Sequence, residues 1–153
     1  MAETKIDYKE KKGFWVVEDL MELAFQYIYN ELKQKDTYDN FSDIEKLLLD
    51  SNLIINGRCR GYLTLSWRRF FTGEQDELEM IRLLENIIVK LHTKEEMISV
   101  EELHSFSSES EDWKSFWDKP FPKENLLNVF NALIKMLKDE WESTNHDIGF
   151  KWD

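Results

Sequence analysis

Cys59 is the only thiol in this chain, and it lies between Arg58 and Arg60. Two flanking guanidinium groups would favour its thiolate. A thiolate within reach of His92, His104 or His146 would make a nucleophile–base pair. The competing reading is a half-buried cysteine that packs as a small apolar side chain. With one cysteine and three scattered histidines, that reading is preferred. Metal chemistry has less to draw on. No two histidines stand at the spacing that puts both on one helix face, and no Cys-x-x-Cys occurs. Glu109, Glu111 and Asp112 could neutralise a cation, but the stretch lacks the glycine and spacing of a calcium loop and reads as a solvated acidic loop. Gly-x-Ser-x-Gly, phosphate-loop and Gly-x-Gly-x-x-Gly patterns are missing. Carboxylates are so common here that adjacency identifies no acid–base couple. The sequence predicts a binding protein, with no enzymatic activity, cofactor or metal.

The arginines are more informative. Arg58, Arg60, Arg68 and Arg69 are four of the five in the chain, and no acid falls between Asp50 and Glu74. With Tyr62 and Trp67 interleaved, such an island could meet phosphates and bases. Against this stands a net charge of −11, which is repelled by nucleic-acid backbones and anionic membranes. Arginine also suits bidentate pairing with carboxylates. Internal pairing is therefore expected, with no direct contact to nucleic acid or membrane. The same acidity attracts basic partners, although solubility alone would also account for it.

Two kinds of residue could serve a protein partner. One is clustered acid: Glu74, Asp76, Glu77 and Glu79; Glu95, Glu96, Glu101 and Glu102; Glu109, Glu111 and Asp112. The other is surplus aromatic surface, especially Trp113, Phe116, Trp117 and Trp152. Tryptophan anchors interfaces, and surrounding charge speeds encounter. Any single aromatic is more often core. The positions predicted to contact a partner are Glu74, Asp76, Glu77, Glu79, Glu109, Glu111, Asp112 and Trp113.

These residues need elements to hold them. At 153 residues the chain fits one domain, and 42% hydrophobic with 14% aromatic residues suffices for a real core. Five glycines and two prolines are too few for an all-β fold rich in tight turns. The prediction is a mainly α, compact helical bundle of about five to seven helices over 1–153. It has a polar lead-in at 1–12 and a short aromatic tail at 144–153 that docks on the body.

A helix is expected from Phe14, with Val17, Leu20, Met21, Ala24, Tyr27 and Ile28 on one face and Glu22, Gln26 and Lys33 on the other. Leu23, Phe25 and Leu32 widen that stripe, which predicts burial against more than one neighbour. Ser42 to Glu45 reads as a capping box before Ile44, Leu47 and Leu48. Asn56-Gly57 should end that helix by a left-handed turn. Residues 58–71 fit a helical face as well as an alternating strand near 62–67. The helical reading is preferred because a lone strand lacks a partner.

After Thr72-Gly73, Met80, Ile81, Leu84, Ile87, Ile88 and Leu91 mark a core face, with Gln75, Glu79, Arg82 and Asn86 outward. Thr93 to Glu96 and Ser99 to Glu102 both match capping boxes, with a short helix from Val100 to Phe106. Trp113, Phe116 and Trp117 suit a short turn or helix. A last helix runs from Lys123 to Ser143, with Leu126, Leu127, Phe130, Leu133, Ile134, Leu137 and Trp141 inward and Asn128, Ala132, Lys135 and Asp139 outward.

One cysteine, a polar start without an apolar run, and no apolar stretch near the roughly 18 residues of a membrane span lead to an expected cytoplasmic location. In size, acidity, unpaired cysteine and lack of a catalytic motif, the whole chain resembles the immunity proteins of bacterial polymorphic and contact-dependent growth inhibition toxins. The resemblance is one of general character and assigns no residue a role. It implies a cytoplasmic protein that binds a cognate toxin and blocks its active site or substrate surface. The alternative is a helical adaptor or regulatory subunit for another cytosolic protein.

Overall fold

The computed structural model describes all 153 residues. Its central element is α1 (Glu18–Leu32). Leu20, Met21, Leu23, Ala24, Phe25, Ile28 and Leu32 are all buried, so apolar side chains leave this helix in most directions. A helix of that kind needs neighbours on several sides. Three are present: α2 (Ile44–Ile55), α4 (Glu74–His92) and α7 (Lys123–Leu137) pack on α1, and α4 and α7 also pack on each other. The predicted core faces of α4 and α7 point inward, with Ile88 and Leu127 half-buried at their margins. Shorter helices complete the set: α3 (Trp67–Phe70), α5 (Val100–Ser105) and α6 (Trp113–Phe116).

Four residues expected to face solvent are instead buried: Glu22, Gln26, Glu79 and Ala132. The three polar ones are each met by a segment distant in sequence. Arg60 reaches Glu22, and Gln26 Nε2 donates to the Ser107 carbonyl at 3.0 Å. Glu79 accepts from the Asn40 amide, and Ala132 lies beside Trp141 and Ile148 of the C-terminal stretch.

The first residues are not a lead-in. β1 (Glu3–Asp7) runs antiparallel to β2 (Gly13–Val17), with Thr4 opposite Val16 and Ile6 opposite Phe14. Thr4, Ile6 and Tyr8 are buried at period two, while Asp7 is exposed. The helix predicted from Phe14 therefore begins at Glu18. Phe14-Trp15-Val16-Val17 is a β-favouring run, and β1 supplies the partner it needs. Gly13 is required at the strand's start, because a Cβ there would lie 1.9 Å from the Ile6 carbonyl oxygen.

The aromatic tail docks, and it does so as a strand. β5 (His146–Asp147) pairs in parallel with β2, and the Ile148 amide donates to the Trp15 carbonyl at 2.8 Å. The Asn125 side chain bonds the backbone of Lys151 in both directions, and Trp152 packs among Phe116, Trp117 and Phe121. A second, two-stranded sheet joins β3 (Met97–Ile98) to β4 (Phe121–Pro122). The fold is thus mostly helical with two small sheets, not a pure bundle. The strand considered near 62–67 is absent. The helix preferred for 58–71 shrinks to α3, because 57–66 lies across α1 without regular structure.

Caps shift in instructive ways. Asp43, not Ser42, caps α2 by accepting from the Lys46 amide, since the Ser42 hydroxyl is drawn to Asp76. Ser99 caps α5 as predicted. Thr93 ends α4 and starts no new helix. α7 stops at Leu137, ahead of a left-handed Asp139, and so does not reach Ser143. No helix is long and apolar enough to cross a membrane. Gly13→Ala should cost at least about 2 kcal/mol in urea unfolding by forcing the β1–β2 hairpin apart; a stability within experimental error of the parent would remove the close-approach argument.

Candidate protein-binding surface

The arginine island begins where α2 ends. Gly57 takes a positive φ of 73°, and the Gly57 and Arg58 amides close onto the Ile54 and Leu53 carbonyls, forming the left-handed helix end predicted for Asn56-Gly57. The chain then passes over the first turn of α1. Glu18 accepts the Gly61 amide on both carboxylate oxygens, at 2.9 and 3.2 Å. Arg60 donates to Asp19 at 3.0 Å and to Glu22 at 2.9 Å, and Arg58 donates to Glu109 at 2.7 Å. Arg58 and Arg60 are therefore paired internally. Arg68 and Arg69 are exposed, and Arg69 lies over the Phe70 ring and donates to the Ser66 hydroxyl.

These pairings decide the chemistry of Cys59. Its half-buried thiol is pushed up in pKa by burial and then by the carboxylates of Asp50, Glu22 and Glu18. The flanking arginines are taken up by Glu109, Asp19 and Glu22 and do not activate the sulfur. His104 is engaged by the carbonyls of Trp117 and Lys114, and His146 lies in β5 against Trp141. No group of three or more His, Cys, Asp and Glu side chains is gathered closely enough to hold a metal ion.

The acids predicted at the start of α4 divide sharply. Glu74 is exposed. Asp76 is buried, accepting the Ser42 and Thr72 amides at 2.7 and 2.8 Å and both of their hydroxyls. Burial raises its pKa, but those four hydrogen bonds together prevail and hold it below the usual carboxylate range. Glu79 is buried between the Asn40 amide and Arg82 Nε, the latter at 2.7 Å. Glu77 accepts from Tyr8 Oη and pairs with Lys9, and burial together with Glu77 drives the Tyr8 phenol well above its ordinary pKa. Three of these four acids tie α4 to the N-terminal hairpin and the 33–43 connection.

The second predicted group stands differently. Glu109, Glu111 and Asp112 are all exposed. Their loop is fastened to the end of α2: Ser108 Oγ donates to the Ile55 carbonyl at 2.7 Å, and the Glu109 amide donates to Asn56 Oδ1 at 2.9 Å. Trp113 is a correction. It is only 3% exposed, its indole N–H donates to the Leu103 carbonyl at 2.9 Å, and its ring meets Phe106 and Trp117. Its large apolar area is worth more in the core, so it anchors the loop from beneath and does not reach outward.

Leu49, Leu53 and Tyr62 are contact candidates that the sequence reading overlooked. Leu49 and Leu53 sit four apart on α2, so they share its outer face, and they are 65% and 43% exposed. Tyr62 is 69% exposed. Its hydroxyl donates to the Arg58 carbonyl at 2.6 Å, the Arg58 amide donates to Leu53, and the Arg58 guanidinium holds Glu109. A chain of direct bonds thus joins Leu53 and Tyr62 to the acidic loop. The available signal was a second leucine pair on a short helix whose core face already holds Leu47, Ile54 and Ile55. Exposed aliphatic and aromatic residues beside acid suit a protein contact, with a desolvated centre and a charged rim.

No protein-family model, no curated protein and no solved structure matches this chain.

Trp113→Ala should destabilise the fold by about 3–5 kcal/mol, whereas Glu111→Ala and Asp112→Ala should stay within about 0.5 kcal/mol; denaturant midpoints test the contrast. The depressed pKa of Asp76 also has a definite sign. Its stabilisation is complete above the unfolded carboxylate pKa of about 3.9 and is lost as pH falls through the lower folded value. Asp76→Asn should therefore flatten the acid limb of stability below about pH 4, and an unchanged limb would count against the bonding described here.

Proposed function

We propose that this protein binds a basic protein toxin and neutralises it, acting as an immunity protein that covers the toxin's active site or substrate surface. The observation that carries the reading is the meeting of Leu49, Leu53 and Tyr62 with the exposed acids Glu109, Glu111 and Asp112. Net charge supports it: at −11 the molecule attracts cationic surfaces. A toxin that cuts nucleic acid must hold phosphate, so its working surface is basic and complementary to such a rim. The rim acids would speed encounter, and the apolar residues would supply the holding energy once water is excluded. Glu74 extends the acidic surface at the start of α4, where Asp76, Glu77 and Glu79 stand behind it as structural support. Trp113 contributes by holding the 107–112 loop in place.

The first test uses the tagged protein as bait in its native host, with mass spectrometry of what co-purifies. A basic toxin fragment held with nanomolar affinity supports the reading; a housekeeping protein in its place moves it to a helical adaptor or regulatory subunit. With the toxin fragment purified, joint reversal of Glu109, Glu111 and Asp112 to lysine should slow association about tenfold or more at low salt. The difference should narrow as salt rises. An association rate indifferent to the three reversals would take the loop out of the interface.

A further inference from the structure

The least satisfied ionisable group in the molecule is Glu22. It is 1% exposed; one carboxylate oxygen accepts from Arg60 at 2.9 Å, and the other is buried with no hydrogen-bond partner. Above it lies the 57–62 loop, which has no regular structure and turns at two glycines of positive φ, Gly57 at 73° and Gly61 at 87°. The loop is held to α1 by Arg60 and by the Gly61 amide on Glu18. Beyond it the chain is anchored again, with Leu63 fully buried and its carbonyl accepting from Thr4.

We propose that the Glu22 carboxyl is a proton-operated latch, closing the 57–62 loop onto α1 when it carries its proton and loosening the loop when it is ionised. The charged groups around it support this direction. On α1 itself, Glu18 and Asp19 are like charges that oppose ionisation. From the loop, Arg60 favours ionisation, but its side chain is 37% exposed and is shared with Asp19, so water screens part of its attraction. The Cys59 thiol lies in the same field, together with Asp50 of α2. From the 107–112 loop, Asp112 acts on Arg60. Desolvation outweighs the arginine and raises the Glu22 pKa to about 7.

The linkage then has one sign. Opening the loop hydrates Glu22 and returns it towards the ordinary carboxylate range, so the closed state binds the proton more tightly. Closure is strongest below the pKa of the open form, weakens by about tenfold per pH unit above it, and levels off once pH passes the closed-state value. Tyr62 rides on this loop, but the latch stands whether or not that side chain meets a partner.

Native-state hydrogen exchange of the Gly61 amide on the full chain tests the latch, with the Phe25 amide of α1 as an internal reference. After correction for intrinsic exchange, the opening constant of Gly61 should rise by about tenfold per pH unit and flatten near pH 7. In Glu22→Gln it should be flat throughout. In Arg60→Gln the flattening should move to higher pH. A flat wild-type profile, or one equally steep in Glu22→Gln, overturns the proposal. Carbon-detected titration of the Glu22 carboxyl in the wild-type protein provides a measurement that no variant can spoil. A midpoint near 7 is the expected result, and one in the ordinary carboxylate range overturns the latch.

Discussion

Helix α1 is buried almost all round, and a helix so placed cannot leave its polar side chains to water. Glu18, Glu22, Gln26 and Glu31 are all buried on it, and each has been met by a group from elsewhere: Gly61, Arg60, the Ser107 carbonyl, and Tyr38 with Lys90. A buried polar group without a partner costs about 1–3 kcal/mol, so these four demands help decide where the irregular segments lie. The 57–66 stretch, the 107–112 loop and the 33–43 connection all trace paths that satisfy α1 or the neighbouring α4. Only at Glu22 is the demand met in part.

This arrangement changes the meaning of the acidity. In a chain of net charge −11 most carboxylates are expected to face solvent, yet several are structural ties. Asp76 and Glu79 gather amides from the 40–42 and 72 positions. Glu31 takes the Tyr38 hydroxyl, whose own pKa is pushed up to about 12 by burial and by that carboxylate. Glu102 receives Tyr27 Oη at 2.6 Å and Lys94 at 2.7 Å. Hydrogen bonds to charged groups are the stronger kind, which makes a carboxylate an effective fastener for a loop without secondary structure. Of the seven acids predicted to contact a partner, only Glu74, Glu111 and Asp112 have side chains left without a bond to the rest of the fold.

The aromatic surplus follows the same logic. Trp113, Trp117, Phe121, Phe150 and Trp152 form one contiguous cluster that closes the C-terminal end over α5, α6 and β4. Rings with edge-to-face neighbours on several sides are core, whatever their type would offer to a partner. Exposed apolar residues are scattered, at Trp15, Leu78, Val89 and Met97 among others, and those nearest the acidic loop are two leucines on the outer face of α2 and Tyr62, which is tied to the loop through Arg58.

The strongly periodic helices were legible in their core faces. The core faces of α4 and α7, the Ser99 cap, the short helix at Trp113 and the breadth of the α1 stripe follow from local spacing, and the docking of the tail from its aromatic composition. Charge balance led to an expectation of internal pairing for all four arginines of the island; it holds for Arg58 and Arg60, while Arg68 and Arg69 stand exposed without an acid partner. β3, β4 and β5 were not legible, because they are two residues long and exist only through pairing with residues far along the chain; β1 and β2 were hidden because Lys9 to Lys12 give the first residues a polar character and Val17 continues the stripe of α1. The burial of Glu22, Gln26 and Glu79 was hidden for the same reason. Helical period reports which residues share a face, not what will cover it, and their covers come from 38, 81 and 39 positions away. The choice between Trp113 as anchor of the core and Trp113 as anchor of an interface was likewise made by packing, through neighbours that only the folded chain brings together.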